Sequence, residues 1–169
     1  MKLNVGSGLV REEGYVNLDL DVEMKPHVVG EALLLPFKEG VFEQVKALHL
    51  IEHLPYRLQV QFLKECHRVL KDEGELFLEF PDTELCMERF LNNYKGQRDW
   101  WLVCIYGGQN SKYDFHHSPV IWDTLERDMY GIGFSIVKKQ LNDYRGFARV
   151  FAKKVEPPTD KFGGKEVVL

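Results

Sequence analysis

Apolar residues recur along this chain with two spacings, and each switch between them marks an element. Lys2 to Val5 forms a short apolar strand ended by Gly6-Ser7-Gly8, and Tyr15 to Leu20 ("YVNLDL") alternates as a second strand. A third short strand falls at His27 to Val29, with Pro36 ending the apolar run after it, and "FEQVKALHL" reads as a fourth. From Tyr56 to Leu70 the spacing becomes helical: Leu58, Phe62, Leu63, Cys66, Val69 and Leu70 share one side, while Arg57, Lys64, Glu65 and Arg68 take the other. Gly74 is the expected helix stop. "ELFLEFPD" then gives a fifth strand, apolar enough for burial on both faces.

The second half predicts a helix over 83–94 and an aromatic-rich stretch, "WWLVCIYGGQNSKYDFHH", with no clear periodicity. Ser118-Pro119 reads as an N-cap with proline at the first helical position, and Ile121, Trp122, Leu125 and Met129 form an apolar face up to Gly131. "FSIVKKQL" and "ARVFAKKV", joined through Asn142-Asp143 and Gly146, predict a closing hairpin. Strands alternating with helices point to an α/β fold: a doubly wound, mostly parallel sheet with an antiparallel C-terminal hairpin. It is expected as one domain over 1–155, followed by a flexible tail over 156–169, "EPPTDKFGGKEVVL".

Composition narrows the partners. With 169 residues, 44% of them hydrophobic, the chain suits one compact core. A formal charge of −4 supplies no basic field for a phosphate backbone, so duplex nucleic acid is excluded as the expected partner. Cys66, Cys86 and Cys104 show no CxxC pair and no disulfide framework, which with the lack of a signal-type segment suggests the cytoplasm. No apolar run approaches the ~20 residues that span a bilayer, so membrane insertion is not expected.

Doubly wound sheets bind ligands where the strand order reverses, at the carboxyl ends of the strands. Gly6 and Gly8 let backbone approach a ligand closely, and an acid ending the second strand, Asp19 before Asp21, accepts ribose hydroxyls in dinucleotide sites. Only 11 residues separate Gly8 from Asp19, against about 20 in a nicotinamide-type unit. A full helix does not fit, and with it goes the positive helix end on which a diphosphate sits. The expected ligand is therefore nucleoside-like and lacks a diphosphate, although Gly6-Ser7-Gly8 taken alone is also an ordinary turn.

The succession "LNVGSG", "NLDLD", "GEALLLPF", "HLIEHL", "RVLKDEGELFLEFPD" and "GIGF" resembles the class I S-adenosylmethionine-dependent methyltransferases, a Rossmann-like fold, and most of all their small type 11-like branch. The resemblance covers most of residues 2–152 and implies S-adenosylmethionine as cofactor, with S-adenosylhomocysteine as product. It places Gly6 and Gly8 along the methionine part, Asp19 at the ribose hydroxyls, Glu31 with Ala32 beside adenine and His49 with Leu50 facing the sulfonium, and it adds Asn4, Ser7, Leu20 and His53 to the cofactor-binding residues. Asn4 stands where the family often has an acid, Val10 where its longer motif has a third glycine, and the helices that usually precede the first strand are missing from this sequence. Either the aromatic stretch or a second subunit, as in a homodimer, then has to cover the cofactor.

His116 and His117, with Tyr113, are the candidate bases for the acceptor, on the loop side where such folds hold substrate. The alternative is that the histidines only hydrogen-bond the loop, and that Glu52 and His53 only shape the turn into the long helix. Trp100, Trp101 and Trp122 are an aromatic wall or simply core. No metal is expected, because adjacent His116 and His117 diverge, and His49 with His53 would converge only on a helix. These features point to a methyltransferase acting on a small-molecule or glycan-related acceptor. The rivals are a catalytically degenerate cofactor-binding or scaffolding relative and, against the short glycine-to-acid interval, an NAD-dependent oxidoreductase.

Overall fold

The computed structural model describes residues 1–142 and 144–158; most of the expected tail, 159–169, lies outside the described residues. Among the described residues, seven strands form one sheet: β1 (Lys2–Val5), β2 (Tyr15–Asp19), β3 (Val28–Val29), β4 (Phe42–Leu48), β5 (Leu70–Pro81), β6 (Phe134–Asn142) and β7 (Phe147–Lys154). Their order is β3-β2-β1-β4-β5-β7-β6, parallel from β3 through β5, with β7 antiparallel to both β5 and β6. The α-helices among the described residues are α1 (Tyr56–Val69), α2 (Thr83–Leu91), α3 (Arg98–Tyr106) and α4 (Trp122–Ile132). No helix among the described residues is long and apolar enough to cross a membrane.

Alternation within the strands decides what each face meets. Leu3, Val5, Leu18, Val45, Ala47, Leu76, Leu78, Phe80, Ala148 and Val150 point to one face, where Phe62, Leu63, Cys66 and Val69 of α1 and Leu125 and Met129 of α4 complete the main core. The intervening residues face the other way. There α2 and α3 cover only the carboxyl end of β5 and the start of β7, through a small cluster of Cys86, Trp101 and Cys104 against Phe147. The rest of that face is polar and aromatic. Tyr15 hydroxyl bonds Gln44, Gln44 Nε2 donates to Glu75 at 3.1 Å, Lys46 pairs with Glu12 at 2.7 Å, and Phe77 stacks on Phe151 with centroids 4.6 Å apart. Phe77 and Phe151 remain partly exposed, so β5 has apolar cover on both faces only toward its carboxyl end.

The link from β1 to β2 contains no helix. Its chain folds back instead: buried Asn17 accepts the Glu12 N–H at 3.0 Å and the Asn4 side-chain amide at 2.9 Å, and donates to Glu12 O at 3.1 Å.

Three boundaries differ from expectation. α1 ends at Val69, and β5 begins at once with Leu70, so Gly74 belongs to an excursion within the strand and does not stop the helix. Ser118 does not cap α4, whose N-cap is Ile121; the Ser118 hydroxyl donates to Leu54 O at 2.7 Å and accepts from Gln59 Nε2 at 2.9 Å. The helix expected over 83–94 closes at Leu91, after Asp82 caps its start by accepting the Leu85 N–H at 3.0 Å.

The "LPF" and "RVL" stretches prove to be physically joined. Buried Glu65 accepts the Leu35 N–H at 2.8 Å and two bonds from Arg68, while Arg68 also donates to the carbonyls of Leu35 and Phe37. The Arg68 guanidinium holds the Glu65 carboxyl below its usual range, against the opposing effect of burial. A depressed carboxylate stabilises the fold above its unfolded pKa of about 4.3, and that contribution disappears as pH falls through the lower folded value. Glu65→Gln is therefore expected to cost roughly 1 kcal/mol at pH 7, Arg68 being partly solvated, and to flatten the acid limb of stability. Urea denaturation of both proteins at neutral and acid pH checks this, and parallel acid limbs would contradict it.

Candidate functional site

A cavity of about 340 Å³ opens at the carboxyl ends of β1, β2 and β4, where the order of the strands reverses. It is walled by the turn after β1, the β2 end from Leu18 to Asp21, residues 30–33 after β3, and His49, Leu50, His53 and Leu54 after β4. Met24, Ser111, Lys112, Tyr113 and His117 complete it.

The floor is backbone because Gly6 and Gly8 adopt left-handed φ values of 67° and 53°, a region costly for residues with a Cβ. At Gly6 there is also no room, since a Cβ would stand 2.8 Å from Leu50 Cδ1. Ser7 N–H continues the ladder to Leu18 O at 3.0 Å, pinning the turn to β2. Asp19 then fastens both sides: Oδ2 accepts the Gly8 N–H at 2.7 Å and Oδ1 the Asp21 N–H at 2.9 Å. Each carboxylate oxygen has a further acceptor site, so a fixed anionic pair of acceptors lines the cavity.

Beyond β4, His49 takes a left-handed φ of 50° and sits among charges. Its Nε2 lies 3.0 Å from Glu79 Oε1 and its Nδ1 3.3 Å from Glu52 Oε1, while Arg149 bonds the other oxygen of Glu79. Burial opposes charge on His49, but Glu52 and Glu79 outweigh it and hold the imidazole above its ordinary range. Burial pushes the His116 imidazole down, with Glu52 opposing.

The loop from Gly107 to Ile121 closes one side of the cavity. Asp114 organises it by accepting from the amides of Gly108 and Asn110, and His117 N–H and Ser118 Oγ tie it to the carbonyls of Glu52 and Leu54.

Of the cofactor residues expected from sequence, Gly6, Gly8, Asp19, Leu20, Glu31, Ala32, His49, Leu50 and His53 line the cavity. Asn4 and Ser7 are not among the lining residues: Asn4 is buried against Asn17, and Ser7 is buried beneath the turn. Tyr113 and His117 reach the wall, whereas His116 faces His53, with ring centroids 4.8 Å apart. Trp101 is fully buried and Trp100 partly exposed beside Phe147, so neither is a cavity wall. Met24, Leu33, Ser111 and Lys112 were not singled out in sequence; Met24 ends a single 3-10 turn, Val22–Met24, and the other three lie on loops, none long enough to carry a periodic signal.

Residues 9–78 match the profile of the family described as "Methyltransferase domain". No curated protein sequence matches. Among solved structures, an S-adenosylmethionine-dependent methyltransferase from Archaeoglobus fulgidus superposes with a TM-score of 0.64 at 18% identity, over 90% of this chain and 85% of that one. One from Thermotoga maritima gives 0.63 at 17% identity, over 90% and 81%. A chain of the Haloferax volcanii complex containing the Trm112 methyltransferase activator gives 0.62 at 12%, over 92% and 82%. At such identities the superpositions establish fold, and the cofactor that this fold and family imply is S-adenosylmethionine. A glycine floor without Cβ atoms, latched to an aspartate, fits its nucleoside. Residues 9–78 thus match the methyltransferase-domain family, and the chain carries the class I S-adenosylmethionine-dependent methyltransferase fold.

Proposed function

We propose that the protein transfers a methyl group from S-adenosylmethionine to a small-molecule or glycan-related acceptor held under the 111–117 loop. The observation that carries this reading is the Asp19 carboxylate fixed beside Gly8 within the cavity. Asp19 receives the ribose hydroxyls, Glu31 and Ala32 flank adenine, and the bare backbone at Gly6 and Gly8 meets the methionine part. His49 and Leu50 stand toward the sulfonium. A volume of about 340 Å³ lies within the range of ordinary ligand cavities, and the helix-free β1–β2 link leaves no seat for the diphosphate of NAD.

Methyl transfer is an in-line displacement, so alignment of nucleophile, methyl carbon and sulfur supplies most of the advantage. Tyr113 and His117, on the cavity wall, are placed to take the acceptor's proton. Ser111, Lys112 and Tyr113 support closure of the site within one chain over closure by a second copy.

Calorimetric titration tests the reading. S-adenosylhomocysteine is expected to bind at one site and NAD not to bind; a preference for NAD, or no uptake of either, would overturn it. Tight S-adenosylhomocysteine binding without turnover across acceptor panels would favour the degenerate relative.

A further inference from the structure

We propose that Glu52, His53 and His116 bind a divalent cation of the zinc class at the edge of the cavity. The turn Ile51–His53 after β4 supplies two of these residues, and the loop after α3 supplies the third. One ligand atom from each lies within 4.8 Å of the other two. An ion about 2.0–2.2 Å from its ligands holds tetrahedral donors roughly 3.5 Å apart, so small side-chain rotations that draw the three together complete the set.

Two independent features show that the donors are prepared. His53 Nδ1 lies 2.9 Å from Phe115 O, and His116 Nδ1 lies 3.0 Å from Cys104 O. A carbonyl only accepts, so each Nδ1 carries the proton and each Nε2 keeps its lone pair; this is how ligating histidines are oriented from behind. Glu52, in turn, is 2% exposed, and neither carboxylate oxygen has a hydrogen-bond partner among the described residues. His49 Nδ1, though 3.3 Å from Oε1, lies off the direction a hydrogen bond needs. The His49 ion pair offsets only part of the cost of burying a carboxylate to which no N–H or O–H donates, and a cation supplies the missing partner.

The donor set decides the metal. Two imidazoles with one carboxylate suit zinc and its neighbours and are too nitrogen-rich for magnesium or calcium. Three protein ligands leave a coordination position open, unlike the closed sets of structural zinc. Because His53 also lines the cavity, the ion would stand at its wall. The expectation of no metal weighed His116 against His117 and His49 against His53; the fold pairs His53 with His116.

The test uses the full chain stripped of metal. Zinc(II) is expected to bind with one-to-one stoichiometry and to raise the melting temperature, and cobalt(II) to give the visible absorption bands of a low-coordinate nitrogen and oxygen site. The Glu52→Gln, His116→Ala double variant should lose about 100-fold or more in zinc(II) affinity, since even outer partners of metal ligands are worth 10–100-fold. It should also lose the cobalt(II) bands and the metal-dependent rise in melting temperature. Circular dichroism of the metal-free variants reports folding, and if the double variant is unfolded the near-isosteric Glu52→Gln single variant decides by the same readouts. Absence of one-to-one uptake by the wild type, or equal affinity in the variant through other groups such as Cys86 and Cys104, overturns the proposal.

Discussion

Asp19→Ala is expected to weaken S-adenosylhomocysteine binding by about 1.5–3 kcal/mol, the range for losing charge-assisted hydrogen bonds, or roughly tenfold to more than a hundredfold in Kd. The loss has two sources. The variant removes the acceptors for the ribose hydroxyls, and it also frees the Gly8 and Asp21 amides that Asp19 holds at 2.7 and 2.9 Å. Asp19→Asn separates them: its amide oxygen still accepts from one backbone N–H but can no longer offer two anionic acceptors to the sugar. Its affinity should fall between those of wild type and Asp19→Ala. Calorimetry on the three proteins checks the order, and an unchanged affinity in Asp19→Ala would refute the ribose assignment.

Trp101→Ala should have the larger effect on stability, about 3–5 kcal/mol, as for other fully buried aromatics. Trp101 has no exposed surface, and its ring packs so closely that a Cβ on Gly146 would stand 2.8 Å from Cζ3. It is the largest member of a cluster separate from the main core, shared with Cys86 and Cys104 of α2 and α3. The loss is therefore expected to be uneven, with amide hydrogen exchange rising first in α2 and α3 and only later in α1. Urea denaturation followed by circular dichroism gives the magnitude; a loss below about 1 kcal/mol, or equal acceleration of exchange in α1, would show that the cluster does not hold this end of the sheet.

The parts of the fold legible in sequence were those with local causes. β1, β2 and the closing hairpin follow from alternation between glycine turns, and Gly6, Gly8 and Asp19 were readable as a group because the link between them is short. Where a distant partner decides the outcome, sequence said less. Ser118 has the form of a cap, yet its hydroxyl is taken by Leu54 O and Gln59. Gly74 has the form of a helix stop, yet α1 turns directly into β5 at Leu70. α3 was hidden because it buries only Trp101 and Cys104 and so shows no strong apolar stripe. The approach of His53 to His116 depends on loop anchors such as His117 N–H on Glu52 O, which no spacing reveals.

The polar face of β1, β2 and β4 carries a consequence for engineering the β1–β2 link. The folded-back β1–β2 link and solvent share that face: Asn4 and Asn17 are buried and bonded to each other and, through Asn17, to Glu12, while Tyr15 and Gln44 stay half-exposed. Grafting an apolar helix between β1 and β2 would strip solvent from Tyr15, Gln44 and the Lys46–Glu12 pair without offering them replacement bonds. Such a chimera gains stability only if those strand positions are exchanged together with the helix.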